Sequence, residues 1–306
     1  MHLGHALHRI STNVRFLTGS LLLPEHAGAL AERLFLTPPA SSQHAKLPQG
    51  TLFDFLDARA SFIEHRGRNL AAWRWGPSDA PTVLLVHGWG GHAAQMRAFV
   101  PALLGAGYAA ITYDQPAHGL SEGRLTGLPD FAGAVAAVAA HYNGAEGMHA
   151  VIAHSLGAVG MAFAHSRGAR FGKAVLISPP SDLVGYSRRF ARWYWMPEPL
   201  RRAMQSAIEE RFGVRWEEFE IARMAPRLRA PALVIHDRGD GFVPWKQGAA
   251  LARAWPGARL MSTVGLGHGR ILESDVIARA AADFIAGKSG VASPAAPALP
   301  NPAPLY

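Results

Sequence analysis

An α/β fold with a doubly wound sheet is the architecture this 306-residue chain predicts. Three observations point to it. Short apolar runs alternate with helical patterns from about residue 81 to residue 286, the rhythm of parallel strands joined by right-handed helical crossovers. Hydrophobic residues make up 49% of the sequence, enough at this length to bury one large domain plus an insertion. The strand candidates end in polar, glycine-containing turns, as expected where a sheet presents chemistry at the carboxyl ends of its strands.

The first of these strands runs from Thr82 to His87 and opens into Gly88-Trp89-Gly90-Gly91. Glycines let backbone N–H groups face inward unobstructed, so the loop suits an oxyanion hole with one donor from the N–H of Trp89. A glycine run after a strand also occurs in phosphate-binding loops. Here the spacing is not G-x-G-x-x-G and no Gly-Lys-Ser/Thr follows, which argues against a nucleotide.

The second element is the stretch Val151 to Gly157, an apolar strand running into Ser155 with a small residue two positions away on each side. A helix of small side chains follows, among them Ala158, Gly160, Ala162 and Ala164. This is the pattern of a sharp strand-turn-helix elbow that holds a nucleophilic serine above the sheet. Bulk beyond a methyl group at either flank would strike the adjoining strand or helix. The N–H of Leu156 then becomes the second oxyanion donor, aided by the positive end of the helix.

A serine hydroxyl needs a base within hydrogen-bonding reach and an acid to orient that base. Downstream, the run from Pro231 to His236 reads as a buried strand ending in a polar turn that holds Asp237 and Asp240. Asp240 is expected to be the acid, with Asp237 its competitor. A crossover helix over Gln247 to Trp255 leads to a strand at Arg259 to Val264, and the glycine-rich loop after it carries His268, the expected base. His154 adjoins the serine, yet neighbours at such a turn point apart, so it is not expected to act as the base.

Together these landmarks resemble the α/β-hydrolase superfamily, in its serine-dependent esterase, lipase and aminopeptidase-like branch. The resemblance rests on His87 to Gly91, Tyr113 to Ser121, the serine elbow, the Asp240-x-x-Val243-Pro244 turn and the His268 loop, spread from about residue 60 to residue 286. Two positions depart from its pattern, Ala153 at the elbow and Ala117 where glycine is usual. The resemblance implies an eight-stranded, mostly parallel sheet with helices on both faces and a helical cap inserted after strand six. His87 is expected to anchor the oxyanion loop, and Asp114, His118 and Ser121 are expected to be structural, their polar side chains hydrogen-bonding the loop backbone as turn-forming residues do. Serine at the elbow disfavours the dehalogenases and epoxide hydrolases that use aspartate on this fold.

The expected organisation is an N-terminal helical segment at 1–50 packing on the body, a core at 51–180 and 230–287, a helical cap at 181–229, and a disordered Pro/Ala-rich tail at 288–306. Arg9, Arg15 and the short apolar run from Phe16 to Leu23 fall short of a secretory signal or a membrane span, so membrane contact is at most peripheral. The net charge of +8 invites a nucleic-acid reading, but the ten Arg of 181–229 are interleaved with seven Asp or Glu, the pattern of a solvated helical face. Absence of cysteine excludes disulfides and fits a cytoplasmic protein. Scattered histidines without H-E-x-x-H argue against a metal, and no cofactor is expected.

The cap region carries Tyr186, Phe190, Trp193, Tyr194, Trp195, Met196 and Trp216 at near-helical spacings. Singly these pack the cap on the core. Collectively they suggest an apolar pocket that excludes water, for which Trp193, Trp195 and Met196 are the named candidates. The expected function is hydrolysis of carboxylic esters of small to medium hydrophobic substrates through an acyl-enzyme. Amide or peptide hydrolysis and acyl transfer by the same residues remain open, with Glu198, Glu209, Glu210, Glu217, Glu218 and Glu220 available to meet a substrate ammonium. So does a binding protein that retains the scaffold with little turnover.

Overall fold

The computed structural model describes residue 16, residues 24–42 and residues 57–288. The expectations for the start of the N-terminal segment and for the Pro/Ala-rich tail lie outside the described residues. Eight strands form one sheet: β1 (Arg59–His65), β2 (Arg68–Trp75), β3 (Thr82–Val86), β4 (Ala109–Tyr113), β5 (Met148–His154), β6 (Phe171–Ile177), β7 (Ala232–Asp237) and β8 (Arg259–Thr263). The principal helices are α1 (Pro24–Leu36), α2 (Phe99–Gly105), α3 (Leu128–Asn143), α4 (Leu156–Ser166), α5 (Leu183–Trp193), α6 (Glu198–Phe212), α7 (Trp245–Ala254) and α8 (Asp275–Ile285).

The strand order is β1-β2-β4-β3-β5-β6-β7-β8. From β4 to β8 every pairing is parallel, while β1 and β2 run antiparallel at one edge. Every residue of β3 is buried. Its side chains alternate between two cores, as the period of two dictates for a sheet covered on both faces. Leu84 and Val86 share one core with Phe131, Val159 and Leu251 of α3, α4 and α7, whereas Val83 and Leu85 share the other with Phe99, Leu103 and Ile277 of α2 and α8. The β1–β2 hairpin was not expected from the sequence. It turns on Arg66 and Gly67, both at positive φ (54° and 71°), the backbone that a two-residue hairpin loop requires.

The chain leaves β3 toward β4 on one side and returns to place β5 on the other. Between β3 and β5 the winding reverses, and this is where open α/β sheets leave a crevice at their carboxyl ends. The glycine loop after β3 and Ser155 after β5 therefore lie side by side.

Helices α5 and α6 occupy the interval between β6 and β7. The Asp182 side chain caps α5 by accepting from the N–H of Gly185 (2.7 Å). Arg201 of α6 is buried, and its guanidinium makes a two-pronged pair with Glu198 (2.8 and 3.0 Å) while also donating to Ser187 of α5 and to Gln205. A buried guanidinium with so many acceptors locks the angle between the two helices. Helix α1 packs mainly along α6 rather than directly on the sheet: Ala27, Ala31 and Leu36 share a cluster with Leu200, Met204 and Ile208. Its far end does reach the core, where Leu36 accepts from the N–H of Thr126 (2.9 Å). Among the described residues no helix is long and apolar enough to cross a membrane.

Candidate active site

Ser155 sits between β5 and α4 at φ 50°, ψ −125°, a backbone conformation that non-glycine residues rarely adopt. The tightness of the turn is visible at Gly157, where a Cβ would lie 2.3 Å from the carbonyl oxygen of His87. At this flank not even a methyl group fits, a stricter demand than the sequence alone suggested. On the other flank the methyl of Ala153 is accommodated in the buried end of β5. A Cβ on Gly88 would come within 2.8 Å of Cβ of Ser155, so the glycine loop touches the serine directly.

Three side chains from separate strand ends meet here. Ser155 Oγ lies 3.1 Å from His268 Nε2, and His268 Nδ1 lies 2.7 Å from Asp240 Oδ2. Because an ionised carboxylate only accepts, Nδ1 carries the proton and donates it to Asp240, leaving Nε2 free to accept from the serine hydroxyl. Burial alone raises the pKa of Asp240. Hydrogen bonds from His236, His268 and the N–H of Val243 outweigh it and hold the carboxyl well below the usual range. The other oxygen, Oδ1, accepts from the N–H groups of Phe242 and Val243 (2.9 Å each).

Asp237, the competing acid, points elsewhere. It accepts from Thr263 Oγ1 (2.7 Å) and from the N–H groups of Leu266 (3.0 Å) and Gly239 (2.9 Å), bracing the root of the loop that carries His268.

The glycine loop is held by two neutral histidines. The N–H of Gln115 donates to His87 Nε2 (2.9 Å), so His87 Nδ1 carries the proton and donates to the carbonyl of Gly88 (2.7 Å). In the same way the N–H of Gly90 donates to His118 Nε2 (3.0 Å) and Nδ1 donates to the carbonyl of Pro116 (3.0 Å). Asp114 accepts from the N–H groups of Ala93 and Leu120, and Ser121 donates to the carbonyl of Asp114. Ala117 sits at φ 63°, the left-handed region where glycine carries no Cβ penalty. Among the described residues the N–H groups of Trp89 and Leu156 have no acceptor in the protein, which leaves both for an oxyanion.

Two histidines have roles that sequence reasoning did not assign. His154 donates from Nε2 to the backbone carbonyl of His268 (3.0 Å), steadying the loop of its neighbour. His236, fully buried in β7, donates from Nε2 to the carbonyl of Val243 (2.9 Å) and lies 3.4 Å from Asp240 Oδ2. The four-residue spacing of His236 and Asp240 across a strand-end turn was the available signal.

An apolar cavity of about 70 Å³ opens against Leu156, the residue after the serine, and is walled by Trp89 and Leu156 from the core, by Leu183, Tyr186 and Phe212 from α5 and α6, and by Phe35 and Leu36 from α1. The expected pocket residues Trp193, Trp195 and Met196 do not line it. They lie at the end of α5 and just past it, where Trp193 and Trp195 turn to solvent, 61% and 57% exposed, and Met196 is drawn into the cluster beneath α1.

Burial depresses the pKa of His87 strongly, that of His118 to about 4 and that of His154 to about 3. These groups stay neutral in the folded chain while their unfolded counterparts take up protons below about pH 6.5. Their stabilisation is thus fully present above that pH and is lost progressively as the pH falls from there to the folded values. Asp114, whose pKa burial raises to about 6, works in the opposite sense and offsets one of the three. The denaturation midpoint in urea is therefore expected to fall steadily from pH 7 to pH 4.5. A flat profile over that window would contradict neutral burial of these rings.

Similarity to known proteins follows the same outline. Residues 77–216 match the model of a serine aminopeptidase (S33) family. A bifunctional esterase/perhydrolase of Acinetobacter calcoaceticus is 24% identical, the match covering 64% of this chain and 87% of that one. A putative carbamate hydrolase of Variovorax paradoxus is 27% identical, over 72% and 97% of the two chains. Among solved structures, the Pyrococcus furiosus esterase superposes with a TM-score of 0.62 at 20% identity, over 83% of this chain and 98% of that one. The family match over residues 77–216, the named relatives and the shared fold together support a member of the α/β-hydrolase superfamily. The same findings support an enzyme of the hydrolase class. Est1E of Butyrivibrio proteoclasticus shares its fold (TM-score 0.59, 18% identity, over 74% and 98% of the chains).

Proposed function

We propose that the protein is a serine hydrolase that cleaves carboxylic esters of small, apolar acids through an acyl-enzyme. Ser155 attacks the ester carbonyl as His268 takes the hydroxyl proton, and Asp240 holds the imidazole in the correct tautomer and stabilises its charged form. The N–H groups of Trp89 and Leu156 receive the oxyanion. His268 returns the proton to the leaving oxygen, and water then repeats the sequence to release the acid. The single observation that carries this reading is the unbroken relay Asp240–His268–Ser155, at 2.7 and 3.1 Å, on a strained elbow beside an apolar cavity.

In this reading residues 181–229 act as a cap over the serine, contributing the α5 and α6 wall of the cavity. An aminopeptidase reading would need a carboxylate on the acyl side to meet the substrate ammonium. None of the six candidate glutamates lines the cavity. Glu198 is paired with Arg201 and Arg202, Glu209 with Arg215, and Glu218 with Arg167. The carbamate hydrolase among the relatives makes a carbamate the second bond to assay. The absence of cysteine supports a cytoplasmic setting.

Covalent labelling tests the proposal without knowledge of the natural substrate. A fluorophosphonate probe is expected to label the protein stoichiometrically at Ser155, located by mass spectrometry of the tryptic peptide. Labelling elsewhere, or none with p-nitrophenyl acetate unhydrolysed, refutes it.

A further inference from the structure

Beside the apolar cavity there is a second space of different chemistry. A cleft of about 560 Å³ is lined by Trp89, His154 and His268 at its inner end and by His92, Gln95, Arg97 and Glu273 toward its mouth. Trp89 borders both spaces. His268 borders only the cleft, and Leu156 only the cavity.

On the serine-hydrolase reading above, this arrangement orients the ester. The leaving oxygen must receive its proton from His268 Nε2, so the alcohol half departs on the side that His268 faces. The acyl carbon stays bonded to Ser155 Oγ with its oxygen on the Trp89 and Leu156 amides, so the acyl chain extends to the side that Leu156 lines. Water enters from the cleft in the second step, giving one proton to His268 and its oxygen to the acyl carbon, and His268 passes that proton to Ser155 Oγ as the acyl–oxygen bond breaks.

The two sides offer opposite solvation. The acyl side is walled by Phe35, Leu183, Phe212 and Phe219. Its volume is about half the ~150 Å³ that accepts a benzene ring, which suits acids of about two to four carbons. In the cleft, Nδ1 of His92 is buried without a partner, and among the described residues the side chains of Gln95, Arg97 and Glu273 have neither hydrogen bond nor ion pair. Arg97 and Glu273 carry opposite charges, so these two side chains give the cleft donors and acceptors without adding net charge. That favours a neutral, multiply hydroxylated alcohol over an anion or a hydrocarbon.

We propose that the site divides its substrate accordingly, taking short apolar acids esterified to a polyol such as a sugar, with Gln95, Arg97 and Glu273 as the residues that select the alcohol.

The test compares two butyrate esters of similar size, 6-O-butyryl glucose and cyclohexylmethyl butyrate, with the octanoate of each. The wild type is expected to prefer the sugar ester about 10-fold in kcat/KM, the worth of one or two added hydrogen bonds. Octanoyl chains are expected to lower turnover of both alcohols alike. A Gln95→Leu/Arg97→Leu/Glu273→Leu variant, whose changes are at the surface and whose folding circular dichroism checks, is expected to bring the preference close to one. A wild-type preference at or below one, with turnover that still requires Ser155, overturns the division alone. Turnover of these esters equal in Ser155→Ala and wild type instead overturns the hydrolase reading, and the division with it.

Discussion

Ser155→Ala is expected to lower kcat for an activated ester by about 10⁴-fold or more, leaving only what the oxyanion donors and binding supply. The substitution removes one oxygen from a residue whose backbone is fixed by its surroundings: the N–H of Ser155 donates to the carbonyl of Ile177 (2.9 Å), and its carbonyl accepts from Ala158 (3.0 Å). His268 loses its serine partner but keeps Asp240. KM and the thermal midpoint are thus expected to move little while turnover collapses. A variant that retains a tenth of wild-type kcat would remove Ser155 from the chemistry.

Asp240→Asn is expected to cost about 10⁴-fold in kcat, the scale of a wrong-tautomer defect in a serine triad. The direction follows from the neighbours. Oδ1 of Asp240 accepts two backbone N–H groups, so the amide oxygen of the asparagine keeps that place and its NH₂ takes the position facing His268 Nδ1. Facing a donor, Nδ1 must become an acceptor and its proton moves to Nε2. The ring then presents N–H to Ser155 Oγ and cannot receive the hydroxyl proton. Steady-state kinetics beside an urea unfolding curve separates this defect from simple instability. Unchanged kcat in a folded variant would mean that Asp240 does not set the tautomer of His268.

Much of this arrangement is written locally in the chain. Ser155, Asp240 and His268 each follow an apolar strand run, and the sheet brings parallel strand ends to one rim, so their meeting is legible from order and periodicity. Gly88 and Gly157 are legible for the same reason, since a turn that close to a side chain has no room for a Cβ. The cavity wall is not. Spacing along α5 shows that the helix has an apolar face but not which neighbour meets that face, and α1 and α6 meet across more than 160 residues of intervening chain. Tyr186 and Phe212 therefore line the cavity while Trp193 and Trp195, equally aromatic, face water. His236 escaped notice because its four-residue spacing to Asp240 becomes a signal only once the strand-end turn is known to fold the two together.

Phe35 stands at the end of α1, outside the stretch shared with the serine aminopeptidase model, yet its ring packs edge-on against Tyr186 and Phe190 and borders the space beside the serine. On the proposed function, the reacting groups and one side of the chamber that would measure the acid thus belong to distant parts of the polypeptide. A change at position 35 can resize that chamber while the relay at the sheet's rim stays as it is. Removing α1 would leave Ser155, Asp240 and His268 in the chain while taking that gauge away.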